Sequence, residues 1–281
     1  METIIGLGNA GCNIAEKFMQ YSQYDVYRLD TKKRSGPKFK KLVERSSHEE
    51  YEEKCPSLKS FFKDCKPPYL FVLGGSGTIS GLSLRVIQQL KSDDVYLLYI
   101  KPDYTLLSKK KQIHDKITFQ ILQQYTRSAV FKKMLIVSNS HVEEILGGIS
   151  ITEYYDKIND MIVSTINMIN ICDHTDSVID TFSDSIETAR IATVGLVDLP
   201  TGQKKLFYPL QMPREYRFYY SCDQTMLDTD QLLYKKIIDH VKSNVDDKTK
   251  ASYGIYSNDY GKNYGYVLAA ATLVQEENNI F

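Results

Sequence analysis

Four glycines fall within eight residues of this chain, between an apolar run and an amphipathic one. The stretch YLFVLGGSGTISGLSLRVIQQL, residues 69–90, opens with the apolar run 69–73 and closes with a pattern that places Leu82, Val86 and Leu90 on one face. This order predicts a strand, a tight loop and the start of a helix. Such a loop directs several backbone N–H groups and the positive end of a helix dipole at one point, which suits a phosphate group.

A second Gly-rich turn follows the predicted first strand, ETIIGL at 2–7. The letters GLGNAG contain Gly6, Gly8 and Gly11 in G-x-G-x-x-G spacing, and Asp30 ends the next predicted strand. Together they match the dinucleotide fingerprint, in which an acid about 20 residues on binds a ribose hydroxyl. A nicotinamide-dependent oxidoreductase is one interpretation. A dehydrogenase, however, has no need of a second Gly-rich loop on its third strand.

The order of elements predicts the fold class. Predicted strands and helices alternate through the first half of the chain, with a loop at 8–12 and helices at 49–63 and 82–91 among them. Alternation of this kind is typical of a Rossmann-like α/β domain with a parallel sheet covered on both faces. We expect a nucleotide-binding domain at 1–150, a long central core helix with its following loop at 151–184, and a smaller α+β domain at 185–281. The last of these includes one predicted helix, residues 229–243.

Composition narrows the classes of partner. Lys and Arg total 35 residues, as do Asp and Glu, so we expect no direct binding to nucleic acid, and the basic run at 32–41 is interpreted as a solvated loop. Five scattered cysteines without zinc-finger spacing indicate a reducing compartment. No apolar run approaches the roughly 18–20 residues of a membrane span, so we expect a cytoplasmic protein.

Five short segments together resemble the tubulin/FtsZ family. GSGTISG at 75–81 is similar to the signature G-G-G-T-G-[ST]-G, and GNAG at 8–11 to the tubulin motif G-Q-[AC]-G. YIKPDY at 99–104 resembles a strand and turn that FtsZ writes T-K-P-F, and IVSNS at 136–140 resembles its I-P-N-D. GISITEYYDKIND at 148–160 fits G-I-S-x-x-x-x-F-x-x-x-N-D without a gap. All five matches share one order and spacing.

The resemblance implies a GTP/GDP site. Tyr155 takes the place of the aromatic that stacks on guanine, Asn159 that of the amide that reads its edge, and Asn139 that of a contact on the sugar and guanine side. Mg²⁺ is expected between the β- and γ-phosphate oxygens, with Asp30 as a ligand through water. The residues expected to contact the nucleotide are Gly8, Asn9, Ala10, Gly11, Asn13, Asp30, Gly74, Gly75, Ser76, Gly77, Thr78, Ile79, Ser80, Gly81, Pro102, Lys110, Asn139, Tyr155 and Asn159.

The same resemblance implies hydrolysis between subunits. IDTFSD at 179–184 falls on the family's N-x-D-x-x-D loop, which completes the site of the next subunit in a longitudinal homopolymer filament. Asp184 is the expected catalytic acid and Asp180 the second candidate, in a GTPase activated by self-assembly. The short chain is closest in style to phage and plasmid tubulins (PhuZ and TubZ). This similarity suggests the positioning or segregation of DNA through a DNA-bound adaptor or a phage or plasmid cargo.

Departures from the family pattern keep a second reading open. Ile79 replaces a glycine, Leu106 a ribose-binding Glu, Lys110 an Arg and Thr181 an Asp. A non-hydrolysing tubulin-like scaffold or regulator would carry such changes.

Several expected site residues also have simpler interpretations. Asp184 with Glu187 three residues on matches a helix capping box, and Asp30 could cap its strand. Tyr155 could be an ordinary half-buried aromatic residue, and Asn139 a turn residue. Cys12 could serve only as a small packing residue.

Overall fold

The structure is a computed structural model that describes residues 1–276. The chain forms two compact units, Met1–Val163 and Ser164–Phe281. Their boundary lies within a long helix, Tyr154–Cys172, that begins in the first unit and ends in the second. The domain boundaries expected from the sequence, at residues 150 and 184, treat this helix and the loop after it as a separate segment. The boundary between the two compact units falls inside the helix instead.

The first unit is built on a parallel sheet. Its strands run in the order β3-β2-β1-β4-β5-β6, and each neighbouring pair is parallel. The strands are β1 (Thr3–Leu7), β2 (Asp25–Asp30), β3 (Phe39–Lys41), β4 (Tyr69–Gly74), β5 (Val95–Lys101) and β6 (Lys133–Ser138). All five residues of β1 and the first five of β4 are buried, as expected for strands covered on both faces.

Helices connect these strands. They are α1 (Gly8–Phe18), α2 (His48–Glu53), α3 (Ser83–Ile87), α4 (Lys109–Arg127), α5 (Asn139–Leu146) and α6 (Tyr154–Cys172). The sequence-based prediction of a loop at 8–12 is wrong, because α1 begins at Gly8. The predicted helices at 49–63 and 82–91 are too long. Helix α2 ends at Glu53, and α3, which follows a 3-10 turn, ends at Ile87.

The described part of the second unit is a mixed sheet with two helices of its own and the end of α6. Its strands run in the order β8-β12-β10-β11-β7, with β9 paired to β8, and the β10–β11 pair is parallel. The predicted helix at 229–243 corresponds to α8, which begins four residues later at Leu233, while a separate short helix, α7, ends at Thr229. The elements are β7 (Ile179–Asp180), β8 (Ile191–Val197), β9 (Lys204–Leu206), β10 (Glu215–Asp223), α7 (Gln224–Thr229), α8 (Leu233–Ser243), β11 (Lys250–Asn258) and β12 (Tyr264–Ala271).

These elements confirm the predicted class, which is mixed α/β with a largely parallel sheet in the first unit. Within residues 1–276, every helix is too short or too polar to cross a bilayer.

Candidate functional site

The two Gly-rich turns lie against each other at the carboxyl ends of β1 and β4. These strands are direct neighbours in the sheet, with Leu7 opposite Leu73. A methyl group placed on Gly8 would come 2.7 Å from Cγ2 of Ile79, and one on Gly74 would come 3.4 Å from Cβ of Ala10. The two turns, which are far apart in the sequence, are therefore in close contact.

Glycine is required where α1 enters this surface. Gly8 has a φ of +69°, a conformation that side chains with a Cβ rarely adopt. A methyl group on Gly11 would overlap the carbonyl oxygen of Val72, so the helix can lie this close to β4 only with glycine there. Leu7, which precedes α1, has no polar side chain to cap it. The first N–H groups of the helix therefore remain suited to an anion.

The second turn is closed by its own hydrogen bonds. Ser80 is buried, and its hydroxyl oxygen lies 3.0 Å from the Gly75 carbonyl oxygen and 2.7 Å from that of Gly77. The Nε2 atom of His48, on α2, lies 3.3 Å from the same Gly77 oxygen. Ser80 thus fixes the shape of the turn, while Ser76 and Thr78 remain half-buried on its rim.

A buried ionic cluster supports the turn from below. A methyl group on Gly75 would overlap the Tyr99 hydroxyl and come 2.8 Å from Oδ1 of Asp115. Asp115, fully buried on α4, accepts hydrogen bonds from Tyr99 at 2.7 Å and Tyr104 at 2.6 Å, and it pairs with Nζ of Lys101 at 2.6 Å. Burial without these partners would be costly for the carboxylate. The hydrogen-bonded pair of Tyr99 and Asp115 therefore leaves no room for a side chain at Gly75.

Asp30 ends β2 beside the first turn and is itself buried. One of its carboxylate oxygens accepts from the Thr31 N–H at 2.8 Å and the other from Nε of Arg34 at 3.0 Å. The Arg34 guanidinium also donates to the side-chain oxygens of Asn9 and Asn13, both at 2.8 Å. Arg34, which the sequence analysis placed in a solvated loop, thus joins three residues that were expected at the nucleotide.

The expected base-side residues occupy α5 and α6. Asn139 is the first residue of α5, and its buried Oδ1 atom has no hydrogen-bond partner within residues 1–276. Tyr155 is 62% exposed on α6, so it is not the half-buried packing aromatic that was one alternative. Asn159 is half-buried one turn further along the helix.

Ion pairs hold this part of α6 against α1. Nζ of Lys17 lies 2.5 Å from Oδ1 of Asp156 and 2.9 Å from Oδ1 of Asp160. Each of these carboxylates is the sequence neighbour of a residue expected at the base, so the pairs fix the helix that carries Tyr155 and Asn159.

Two other expected contacts are less closely tied to the turns. Pro102 follows β5 and is half-buried. Lys110 lies in the first turn of α4 and is exposed. Leu106, in the position where the family carries a ribose-binding Glu, is 75% exposed.

The proposed catalytic segment belongs to the second unit and lies on a sheet edge. Asp180 ends the two-residue strand β7, which pairs with β11. Its carboxylate accepts from the Ser177 hydroxyl and, at 3.1 Å, from the Phe182 N–H. Asp184 is exposed, and its carbonyl oxygen accepts from Nζ of Lys250. No helix begins at Asp184, so the capping-box alternative is wrong.

Three titratable groups near the turns have pKa values that are shifted by burial. Burial raises the pKa of the Cys12 thiol to about 12, and its Sγ lies 3.5 Å and 3.4 Å from the Gly6 and Leu29 carbonyl oxygens. Cys12 is therefore a neutral packing residue. The rings of His48 and His114 lie 4.1 Å apart, and burial lowers the pKa of both.

Solved structures resemble this chain along nearly its whole length. TubZ of Bacillus thuringiensis serovar israelensis, in a GTPγS-form protofilament, is 14% identical and matches with a TM-score of 0.73 over 96% of this chain and 86% of that one. The FtsZ dimer of M. jannaschii is 12% identical, with a TM-score of 0.69 over 96% and 87%. A TubZ described as a type III plasmid segregation protein is 14% identical, with a TM-score of 0.67 over 98% and 88%.

This chain has the tubulin/FtsZ fold. The resemblance carried by the five sequence segments is thereby confirmed at the level of the fold. No protein-family model matches the sequence, and neither does any curated protein. At such low identity the likeness to these structures shows a shared fold and nothing finer. The site must therefore be judged from the residues of this chain.

Within residues 1–276, no group of three or more His, Cys, Asp or Glu side chains is arranged to hold a metal ion.

Sequence reasoning missed two residues that shape the site. Arg34 was hidden in a basic run without periodicity, and Asp115 lies on a helix whose pattern gives no sign of a buried carboxylate. For Asp115 the available signal was one acid among six basic or polar neighbours in KKKQIHDK, residues 109–116.

Proposed function

We propose that this chain binds GTP and GDP in its first unit and hydrolyses GTP when copies assemble head to tail into filaments. The observation that carries the proposal is the contact between the two Gly-rich turns at the first turn of α1. Backbone N–H groups at a helix N-terminus and in a tight Gly turn bind phosphates. Two such turns in contact suit a chain of phosphates better than a single one.

The base side supports a nucleotide rather than inorganic phosphate. The unpartnered Oδ1 atom of Asn139 offers an acceptor to a sugar hydroxyl or a base N–H. A buried polar atom without a partner costs free energy, which a ligand donor would recover. The exposed ring of Tyr155 offers a stacking surface.

Hydrolysis is assigned to the second unit of a neighbouring copy. Phosphoryl transfer depends mainly on positioning and charge stabilisation, so one carboxylate that orients water can suffice. Asp184 is exposed and suits that role, whereas the Asp180 carboxylate is occupied by local hydrogen bonds. Mg²⁺ carried by the nucleotide would neutralise charge on its phosphates.

Head-to-tail assembly follows from a divided site, since heterologous contacts that do not close produce open filaments. TubZ and FtsZ structures of this fold include protofilaments and a dimer. By analogy with the plasmid segregation TubZ, we propose that such filaments position DNA through an adaptor.

One observation favours the scaffold alternative. Thr181, which stands in place of a family acid, is part of the sheet edge: its N–H donates to the Tyr253 carbonyl at 2.8 Å, and its hydroxyl accepts from the Tyr253 N–H at 3.0 Å. It therefore cannot replace the missing carboxylate, and hydrolysis rests on Asp184.

Asp184→Ala separates the two functions. We expect the variant to bind GTP and assemble like the wild type but to lose hydrolysis at least about a hundredfold. Asp259→Ala, which removes another exposed carboxylate of the second unit, should leave turnover unchanged. If the wild type binds GTP without turnover, the alternative of a non-hydrolysing scaffold is correct. If it binds neither GTP nor GDP, the nucleotide proposal falls.

A further inference from the structure

The loop after β2 folds back over the first turn of α1 and carries Arg34 with it. Arg28 of β2 fixes this loop, because its guanidinium donates to the carbonyl oxygens of Ser35 at 2.9 Å and Pro37 at 3.0 Å. The same guanidinium pairs with Oε1 of Glu16 at 2.6 Å and is almost fully buried. The backbone of this loop is thus held in place, and the interpretation of 32–41 as a solvated loop is wrong for Arg34, although most of its neighbours in the run are exposed.

Arg34 uses every nitrogen of its guanidinium within this pocket. Nε donates to Asp30, NH1 donates to Asn13 and lies 3.2 Å from Oε2 of Glu16, and NH2 donates to the side-chain oxygen of Asn9. Its side chain is only 13% exposed. A planar fork with fixed donors can bridge these groups at once, which a lysine ammonium cannot do.

Asp30 does not fit the metal role implied by the family resemblance. Both of its carboxylate oxygens accept hydrogen bonds, one from the backbone and one from Arg34. The positive charge that balances this buried carboxylate is the guanidinium. A divalent cation at the same oxygens, or held to them through water, would have to displace Arg34 or lie close to its like charge, which is unfavourable at short distance.

We propose that Arg34 is a positioning residue of the nucleotide site, which takes the place of a divalent cation as the partner of Asp30 and holds Asn9 and Asn13 in their binding orientation. This inference rests on the proposed nucleotide binding. Asp30 then acts through Arg34, and it contributes to nucleotide affinity whether or not Mg²⁺ is present.

The test is equilibrium binding of a fluorescent GTP analogue, in Mg²⁺ and in EDTA. The variants are Arg34→Ala, Arg34→Lys, Asp30→Asn and the double variant Arg34→Ala/Asp30→Asn. Lys33→Ala removes an exposed neighbouring cation and serves as the matched control. We expect Arg34→Ala and Arg34→Lys to weaken binding about tenfold in both buffers. Asp30→Asn should add little in the Arg34→Ala background, and Lys33→Ala should bind like the wild type.

Several results would overturn the inference. If Arg34→Ala binds as tightly as the wild type, Arg34 has no positioning role. If Asp30→Asn weakens binding only in Mg²⁺, Asp30 is a metal ligand. If the wild type binds no nucleotide, the proposed function fails and this inference fails with it. The wild-type measurement alone reveals that failure, whereas a failure of the inference alone appears only in the variants.

A metal probe covers the case in which Arg34→Ala does not fold. Electron paramagnetic resonance reports Mn²⁺ bound to the nucleotide-free wild type and to Asp30→Asn. We expect no difference between the two proteins. A signal of bound Mn²⁺ that disappears in Asp30→Asn would contradict the assignment.

Discussion

The two Gly-rich turns of the first unit and the acidic segment 179–184 of the second are built in opposite ways. The turns rest on buried partners: Gly11 lies against β4, Gly75 lies over Asp115, and Ser80 closes its own loop. In the acidic segment, Asp180 and Asp184 are exposed, and their described contacts are local hydrogen bonds or a surface lysine.

This difference indicates a division of labour. A binding surface must be fixed before the ligand arrives, so it is built from buried backbone and ion pairs. A group that acts on the nucleotide of another copy has to be exposed in its own subunit. If this interpretation is correct, substitutions in the turns should affect stability and binding together, whereas those in 179–184 should affect turnover alone.

The largest effect is expected at Asp115. Asp115→Asn removes the carboxylate that balances the buried Lys101 ammonium, and breaking such a pair typically costs about 3–5 kcal/mol of unfolding free energy. Chemical denaturation measures this loss. Asp93→Asn, at an exposed position, should change stability by less than about 0.5 kcal/mol. Equal stabilities for the two variants would show that the turn does not rest on the buried cluster.

A smaller loss is expected at Gly11. Gly11→Ala forces a methyl group into the Val72 carbonyl oxygen, and overpacking of this kind costs about 1–3 kcal/mol. In the matched control, Gly77→Ala, the nearest atom to the added methyl is 3.8 Å away, and the backbone φ of −88° suits alanine. Thermal unfolding of both variants compares them. If Gly77→Ala is the less stable of the two, the contact between α1 and β4 is not the critical one.

Tyr155→Ala should separate binding from stability. The ring is 62% exposed, so its removal should leave the unfolding temperature unchanged. Loss of base stacking, worth about 1–3 kcal/mol, should weaken GTP binding roughly tenfold or more. Tyr260→Ala removes a ring that is 63% exposed in the second unit and should not affect affinity. Unchanged GTP affinity in Tyr155→Ala would place the base elsewhere.

The smallest effect is a dependence of stability on pH. Burial lowers the pKa of His48 and His114 in the folded chain, so the unfolded chain takes up protons first as the pH falls. Stability should be constant above about pH 6.5, the ordinary pKa of histidine, and decline below it. His114→Gln should flatten that decline, whereas His174→Gln should not. Urea denaturation between pH 5 and 8 measures the slope, and an unchanged slope in His114→Gln would exclude the pair as its cause.

Local patterns predicted the turns, while long-range partners escaped prediction. The Gly-rich runs, the strands before them and the i, i+4 pair Tyr155 and Asn159 are encoded within short windows of sequence. Arg34 contacts Asn9 across 25 residues, a pairing that no periodicity records. The missed start of α1 at Gly8 has a similar cause, because its glycines are poor helix formers that tertiary packing overrides.

The central claim, a GTPase site shared between subunits, is tested most directly by GTP hydrolysis per subunit as protein concentration rises. Light scattering is recorded alongside, and NADH binding serves as the control for the oxidoreductase interpretation. The account predicts a threshold concentration above which turnover per subunit and scattering rise together. Turnover per subunit that is independent of concentration, without scattering, would mean that one chain holds the complete site, and it would contradict the claim.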